Sequence, residues 1–376
     1  MGELYEFEPR RVCVVKPGRT EVRGFPISVS GETLTLNGVV LTPSSTQTVP
    51  GFFHRLQWCP NATVEEETPT CQQVTKQDCI TEPELMVLCG LPQKNAPPCP
   101  GYTFNFRRKA WRPNKSLIVN RDEAAIASSA FSLYAVGGIT MAGITASAEA
   151  YDIAADRWSA IAPMTLARCS CAAVWVDSAL YVFGGNRGNT TPTKSVEVYS
   201  ALTGNWEAGD DLPTPRYRHG AAVLGSNVYV CGGINVKGEV VRDVDIYNVQ
   251  SKTWTRGPPM TSPRMNFDVA VVGEHMYAVG GHSGTQSLNC AERFDANSRT
   301  WRPCACMSTA RQFLTLAVRD SFIYAIGGSN INSGVLDTVE RYDVLKNTWA
   351  RAGTTPTPIY GHGSVVVSTA RTLAES

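Results

Sequence analysis

Charge of one sign is missing from this 376-residue chain: 34 basic residues face 33 acidic ones, for a formal net charge of +1. No global field draws it to nucleic acid or to an anionic membrane, so neither is expected as a partner. Histidine is sparse. The five residues His54, His219, His275, His282 and His362 are too scattered to form a local metal-ligand motif. Long hydrophobic runs are few as well, and the one uncharged stretch long enough to imitate a membrane span, 124–148, is built of Ala, Ser, Gly and Thr rather than Leu and Ile. The first residues, MGELYEFEPRRV, carry acids where a secretory signal has bases, and Glu6 breaks the acylation pattern begun at Gly2. Without such a signal the 12 cysteines are expected as mostly reduced thiols in a cytoplasmic protein. Cys169/Cys171 and Cys304/Cys306 lack the two-residue gap of a zinc knuckle, and glycine-rich phosphate loops opening a helix are absent. No metal, no cofactor and no catalytic residue is therefore expected.

What is present is enough to fold. Hydrophobic residues make up 43% of the chain and charged ones only 18%, which excludes a disordered polyelectrolyte. Glycine (32) and proline (23) make it turn-rich, favouring many short strands over long helices.

A repeat of 47 to 48 residues organises most of it. Diglycines stand at Gly137-Gly138, Gly184-Gly185, Gly232-Gly233, Gly280-Gly281 and Gly327-Gly328, each preceded at three residues by a tyrosine. A second aromatic follows (Tyr151, Tyr199, Tyr247, Phe294, Tyr342), and seven residues later a tryptophan (Trp158, Trp206, Trp254, Trp301, Trp349). An arginine lies sixteen residues before each diglycine: Arg121, Arg168, Arg216, Arg264 and Arg311. Within a unit, CSCAAVWV and LYVFGG read as an antiparallel pair, SVEVYS as a third strand, and the segment opened by Trp206 as a fourth. Four strands per unit, repeated radially, predict an all-β protein, a six-bladed β-propeller whose sheets bury their faces against one another.

The sixth blade is split between the two ends of the repeat region. ELMVLCG, ending at Gly90, fits a second strand, while Phe104 and Trp111 keep the aromatic spacing of the third and fourth. Its first strand is missing upstream and is expected instead from GHGSVVV, Gly361 to Val367. The predicted organisation is a small β-rich N-terminal segment over 1–80, a propeller over 84–367, and a disordered tail over 368–376. An acid two residues before the second aromatic (Glu149, Glu197, Asp245, Glu292, Glu340) is missing from the closing unit, which has Tyr102 there and Ile359 in place of the arginine. Joint loss predicts that arginine and acid pair within a blade.

Arg…Tyr-x-x-Gly-Gly…Tyr-Asp…Trp, with Tyr151-Asp152 and Tyr342-Asp343, resembles the kelch repeat, and LDTVERYDVLKNTW is most similar to the kelch propellers of the BTB-BACK-kelch family. That resemblance implies a non-enzymatic protein-interaction module, a substrate adaptor of a ubiquitin ligase complex or a cytoskeletal protein. The 1–80 segment is too short for both BTB and BACK regions, so a cullin-type link is not expected from this chain. Sugar isomerases and alcohol oxidases built on propellers resembling this one supply the alternative, an enzyme working at the channel mouth.

The first strand runs away from the arginine and the second returns to the diglycine, so residues following both lie on one rim. Those after the diglycines are Asn186, Arg187, His282, Ser329 and Asn330; those after the arginine position are Tyr217, Arg218, Met265, Asn266, Gln312, Phe313 and Tyr360. They vary from unit to unit and include interface-prone Arg, Tyr and Phe, so this rim is the expected partner-binding face. Arg187 and Arg218 would suit a carboxylate or phosphate on the partner.

Overall fold

The computed structural model describes residues 83–93 and 101–367 in full, with the backbone of further strands between Val12 and Trp58 and along Cys79–Leu88 and Gly363–Thr372. By internal contacts the chain divides into two units, Met1–Cys79 with Ser200–Gly204, and Ile80–Tyr199 with Asn205–Ser376. The first unit contains a three-stranded and a four-stranded sheet. Among the described residues every regular element is a strand, and no helix is long and apolar enough to cross a membrane.

Six four-stranded sheets make the propeller. Blade one comprises Ala125–Ser128, Ser132–Val136, Ala148–Asp152 and Arg157–Ile161; blade two, Ala172–Val176, Ala179–Phe183, Val196–Ser200 and Asn205–Ala208. Blade three follows with Gly220–Leu224, Asn227–Cys231, Val244–Asn248 and Thr253–Arg256; blade four, with Asp268–Val272, His275–Val279, Ala291–Asp295 and Thr300–Cys304. Blade five has Thr315–Arg319, Phe322–Ile326, Thr338–Asp343 and Thr348–Thr354. The sixth is composite: Gly363–Thr372 pairs with Cys79–Leu88, which pairs in turn with Tyr102–Asn105 and Ala110–Pro113. The tail closes the ring, as the repeat arithmetic requires. Its two long strands extend beyond the sequence estimate, starting at Cys79 and ending at Thr372.

Local chemistry sets the hairpins. In blades two to five the first two strands are joined by two residues, and the leading one (Asp177, Gly225, Gly273, Asp320) has φ between 54° and 61°. That sign matches the twist of the flanking strands, and Gly or Asp tolerates it. Each diglycine removes a side chain where the next blade arrives: a Cβ on Gly137 would stand 2.4 Å from the Arg168 carbonyl oxygen, which accepts the Gly138 N–H at 2.9 Å.

Aromatic side chains fill the space between sheets. Tyr247 lies opposite Trp254 with ring centroids 4.9 Å apart, and the same pairing recurs in all six blades, ending with Phe104 and Trp111 at 5.0 Å. Each of these six tryptophans also donates its indole N–H to a carbonyl of the preceding blade, among them Lys115, Ala162, Asp210, Pro258 and Ala305. Trp158 and Trp301 are buried, whereas Trp254 is half-buried, so the residues are not equal as core fillers.

The predicted ion pairs form within blades, at 2.6 Å for Arg121–Glu149, 2.7 Å for Arg168–Glu197, 2.9 Å for Arg264–Glu292 and 2.7 Å for Arg311–Glu340, with Arg216–Asp245 completing the set. All five arginines are buried. Arg168 Nη1 additionally donates to the carbonyls of Gly184 and Ser195, while Glu197 accepts the backbone N–H groups of Thr165 and Leu166. The pair therefore ties the loop entering the blade to its second and third strands. In the closing blade Ile359 is fully buried at the arginine's position.

Candidate functional site at the channel mouth

Two residues beyond each repeat arginine the chain turns left-handed. Glu123, Ser170, Arg218, Asn266 and Phe313 have φ between 48° and 58°, and Gly361, two beyond Ile359, has 63°. Glycine alone adopts this freely, and for a residue as bulky as phenylalanine it is a rare and strained state. The turned peptide groups meet head to tail. Ser170 N donates to Glu123 O (3.0 Å), Arg218 N to Ser170 O (2.8 Å) and Asn266 N to Arg218 O (3.1 Å). Phe313 N donates to Asn266 O (2.7 Å), Gly361 N to Phe313 O (3.2 Å), and Glu123 N to Gly361 O (3.3 Å). Six blades thus share one closed hoop of backbone hydrogen bonds.

Their side chains converge on the mouth. Arg218, from blade three, reaches Phe313 of blade five, with its guanidinium 5.3 Å from the ring centroid, and approaches Glu123 of blade one at 3.7 Å. Phe313 meets Tyr360 edge-on at 5.9 Å, the Ser170 hydroxyl donates to the Glu123 carboxylate, and Asn266 Nδ2 donates to Gln312 Oε1 at 3.2 Å. Asp122 stands beside this cluster, its pKa pushed up to about 6 by burial and by the neighbouring Glu123. Tyr360 is likewise raised by burial and by those two carboxylates. One side of the mouth is acidic, the other aromatic, and Arg218 bridges them.

The two predicted sets of residues meet on this rim. Isolated backbone bridges join Met265 to His282, Gln312 to Ser329, Tyr217 to Ile234, Cys169 to Asn186 and Leu91 to Tyr360. Their roles differ. Tyr217 and Asn266 are buried, with Tyr217 under the Arg218 guanidinium. Asn186, His282 and Asn330 accept backbone N–H groups within their own loops, and Asn330 also donates to the Ala310 carbonyl. Arg187 is exposed and has no carboxylate partner among the described residues, whereas part of the Arg218 charge is already answered by Glu123. Glu123, Ser170 and Asp122 escaped the sequence reading although they occupy the same repeat offsets as Arg218 and Tyr217.

His219 and His362 are sealed below the rim, in an apolar slot that other units fill with Phe267 or Leu314. Burial pushes both pKa values down to about 3, and for His219 the Arg216 charge adds to the effect. Burial raises the Cys169 thiol to about 12 and Cys171 to about 11; these and the other described cysteines are unbridged. Among the described residues no three His, Cys, Asp or Glu side chains are grouped to hold a metal ion.

Comparison with known families supports the same repeat. A Kelch motif matches residues 124–165, and the KLHDC2/KLHL20/DRC7 Kelch-repeats domain matches 170–373, more than half of the chain. No curated protein matches it. With six blades, a tail-closed ring and these matches, the chain belongs to the Kelch-repeat propeller family.

Proposed function

We propose that the channel mouth is the docking face for a segment of a partner protein, and that the chain works as a non-enzymatic interaction module. The observation that carries this reading is the hoop. Five residues other than glycine are held left-handed there, and strain of about 1–3 kcal/mol per residue persists only where the surrounding structure enforces it, commonly at functional sites. What the hoop presents is suited to recognition: Phe313 and Tyr360 as half-buried aromatic anchors, Arg218 as a donor fork, Glu123 and Asp122 as acceptors. A substrate-binding role in the cytoplasm, with no cullin contact made by residues 1–80, is the form of this function proposed here.

Capture by the full chain, followed by mass spectrometry and affinity measurement on the purified partner, tests it. Phe313→Gly relaxes the left-handed backbone, so melting should change little, while Phe313→Gly and Tyr360→Ala should each weaken partner binding at least tenfold. A partner held at full affinity by both variants would remove the mouth from the account.

A further inference from the structure

The gap between blade five and the closing blade is built unlike its counterparts. Eight residues beyond the arginine position stand Ser129, Val176, Leu224, Val272 and, in the closing blade, Val367; blade five alone places a charge there, Arg319. One residue before the third-strand aromatic, Ala150, Val198 and Ile246 give way to Arg293 and then Arg341. With Arg351 and with Lys109 of the closing blade, Arg319 and Arg341 surround an open cleft of about 530 Å³ over Phe104 and Trp111.

Among the described residues this positive charge is barely answered. Lys109, Arg341 and Arg351 have no carboxylate within ion-pair distance among the described residues, and Arg319 has only its chain neighbour Asp320 at 3.5 Å, itself largely exposed. Arg319 and Arg341 instead lie 4.4 Å over the rings of Phe106 and Phe322. Such contacts orient a guanidinium without cancelling its charge, and leave its forked donors available.

We propose that this cleft binds an acidic peptide segment of a partner protein, seating an apolar or aromatic side chain on Phe104 and Trp111 while carboxylates meet the arginine forks. The volume falls within the roughly 300–1,000 Å³ typical of ligand pockets. Arg319 lies at the hairpin end of its strand, away from the mouth, so this is a second surface. It rests on the interaction-module reading but is separable from the mouth.

The test uses the full chain and labelled ten-residue peptides with Asp or Glu at alternate positions and Phe, Leu or Trp between, alongside lysine-substituted versions and ATP. Arg319→Val and Arg341→Ile install residues the other blades already carry; Arg351→Ala trims the exposed rim. The acidic peptides should bind, the lysine versions should not, and each variant should weaken binding at least fivefold with melting unchanged or raised. Phe313→Gly should leave this binding intact. Absence of acidic-peptide binding, full binding by the arginine variants, a lowered melting temperature in Arg319→Val and Arg341→Ile, or ATP bound in preference to peptide would overturn the proposal.

Discussion

Trp111 donates its indole N–H to the carbonyl oxygen of Thr354 at 2.8 Å, joining residues 243 positions apart. This is the same staple that each other blade makes to its predecessor, here made between the closing blade and blade five. Trp111→Phe keeps a ring in the gap and removes only the donor, so it should cost about 1 kcal/mol, read as a lower urea midpoint at unchanged slope. Ending the chain after Pro358 should do far more, because it strips the partner from Leu85–Leu88 and exposes a buried, hydrophobic strand edge. Aggregation and loss of a cooperative melt are expected; a soluble, cooperatively folding truncation would refute closure.

Gly363 provides a local check on the same joint. A Cβ there would lie 2.0 Å from Ile126 Cγ1, on the first strand of blade one. Gly363→Ala should destabilise by about 1–3 kcal/mol through overpacking, and Ile126→Ala in the same chain should recover part of the loss. Additive effects in the double variant would mean that the tail does not pack against blade one.

Arg168 and Glu197 test the buried pairs. Arg168→Met strands a carboxylate of which only 5% of the side-chain surface is exposed, and about 3–5 kcal/mol of stability should go. Adding Glu197→Gln should restore a large fraction, because the residue left behind no longer carries charge. The closing blade, with Ile359 and Tyr102, shows that the architecture tolerates joint removal. A double-mutant cycle with no coupling would overturn the pairing.

Acid should weaken the fold through His219 and His362. Their native pKa values, about 3, lie below the ordinary value of 6.5, so between those limits the unfolded chain binds more protons and stability falls as pH falls. Asp122 and Asp268, raised to about 6 by burial, act in the opposite sense, contributing stability at low pH that is lost as pH rises from about 4 to 6. The net slope of the wild type therefore hides both. The difference does not: His219→Leu, which installs the residue found at Leu314, should gain stability relative to the wild type as pH drops from 7 to 4. A pH-independent difference in denaturation midpoints would show that the imidazole is not sealed.

The ring, its closure and the arginine–acid pairs were readable because each rests on a side chain recurring at a fixed offset, and losing Arg and acid together in one unit betrays contact. The hoop was not. Glu123, Ser170, Arg218, Asn266, Phe313 and Gly361 share no side-chain chemistry, only a backbone angle and a peptide hydrogen bond, and neither leaves a compositional trace. The pairing of Arg218 with Glu123 was hidden for a related reason, since it crosses from blade three to blade one and has no counterpart among the described residues of the other units. Trp254 looked equivalent to Trp158 by spacing, yet it is the more exposed of the two, a difference that a shared offset does not encode.

One link of the hoop, Glu123 to Gly361, joins the segment entering blade one to the segment entering the strand that closes the ring. The mouth is therefore complete only when both ends of the repeat region are in place. A chain clipped or released short of Tyr360 lacks an anchor and leaves the circuit broken, so defective copies would fail to display the surface at all rather than compete for the partner.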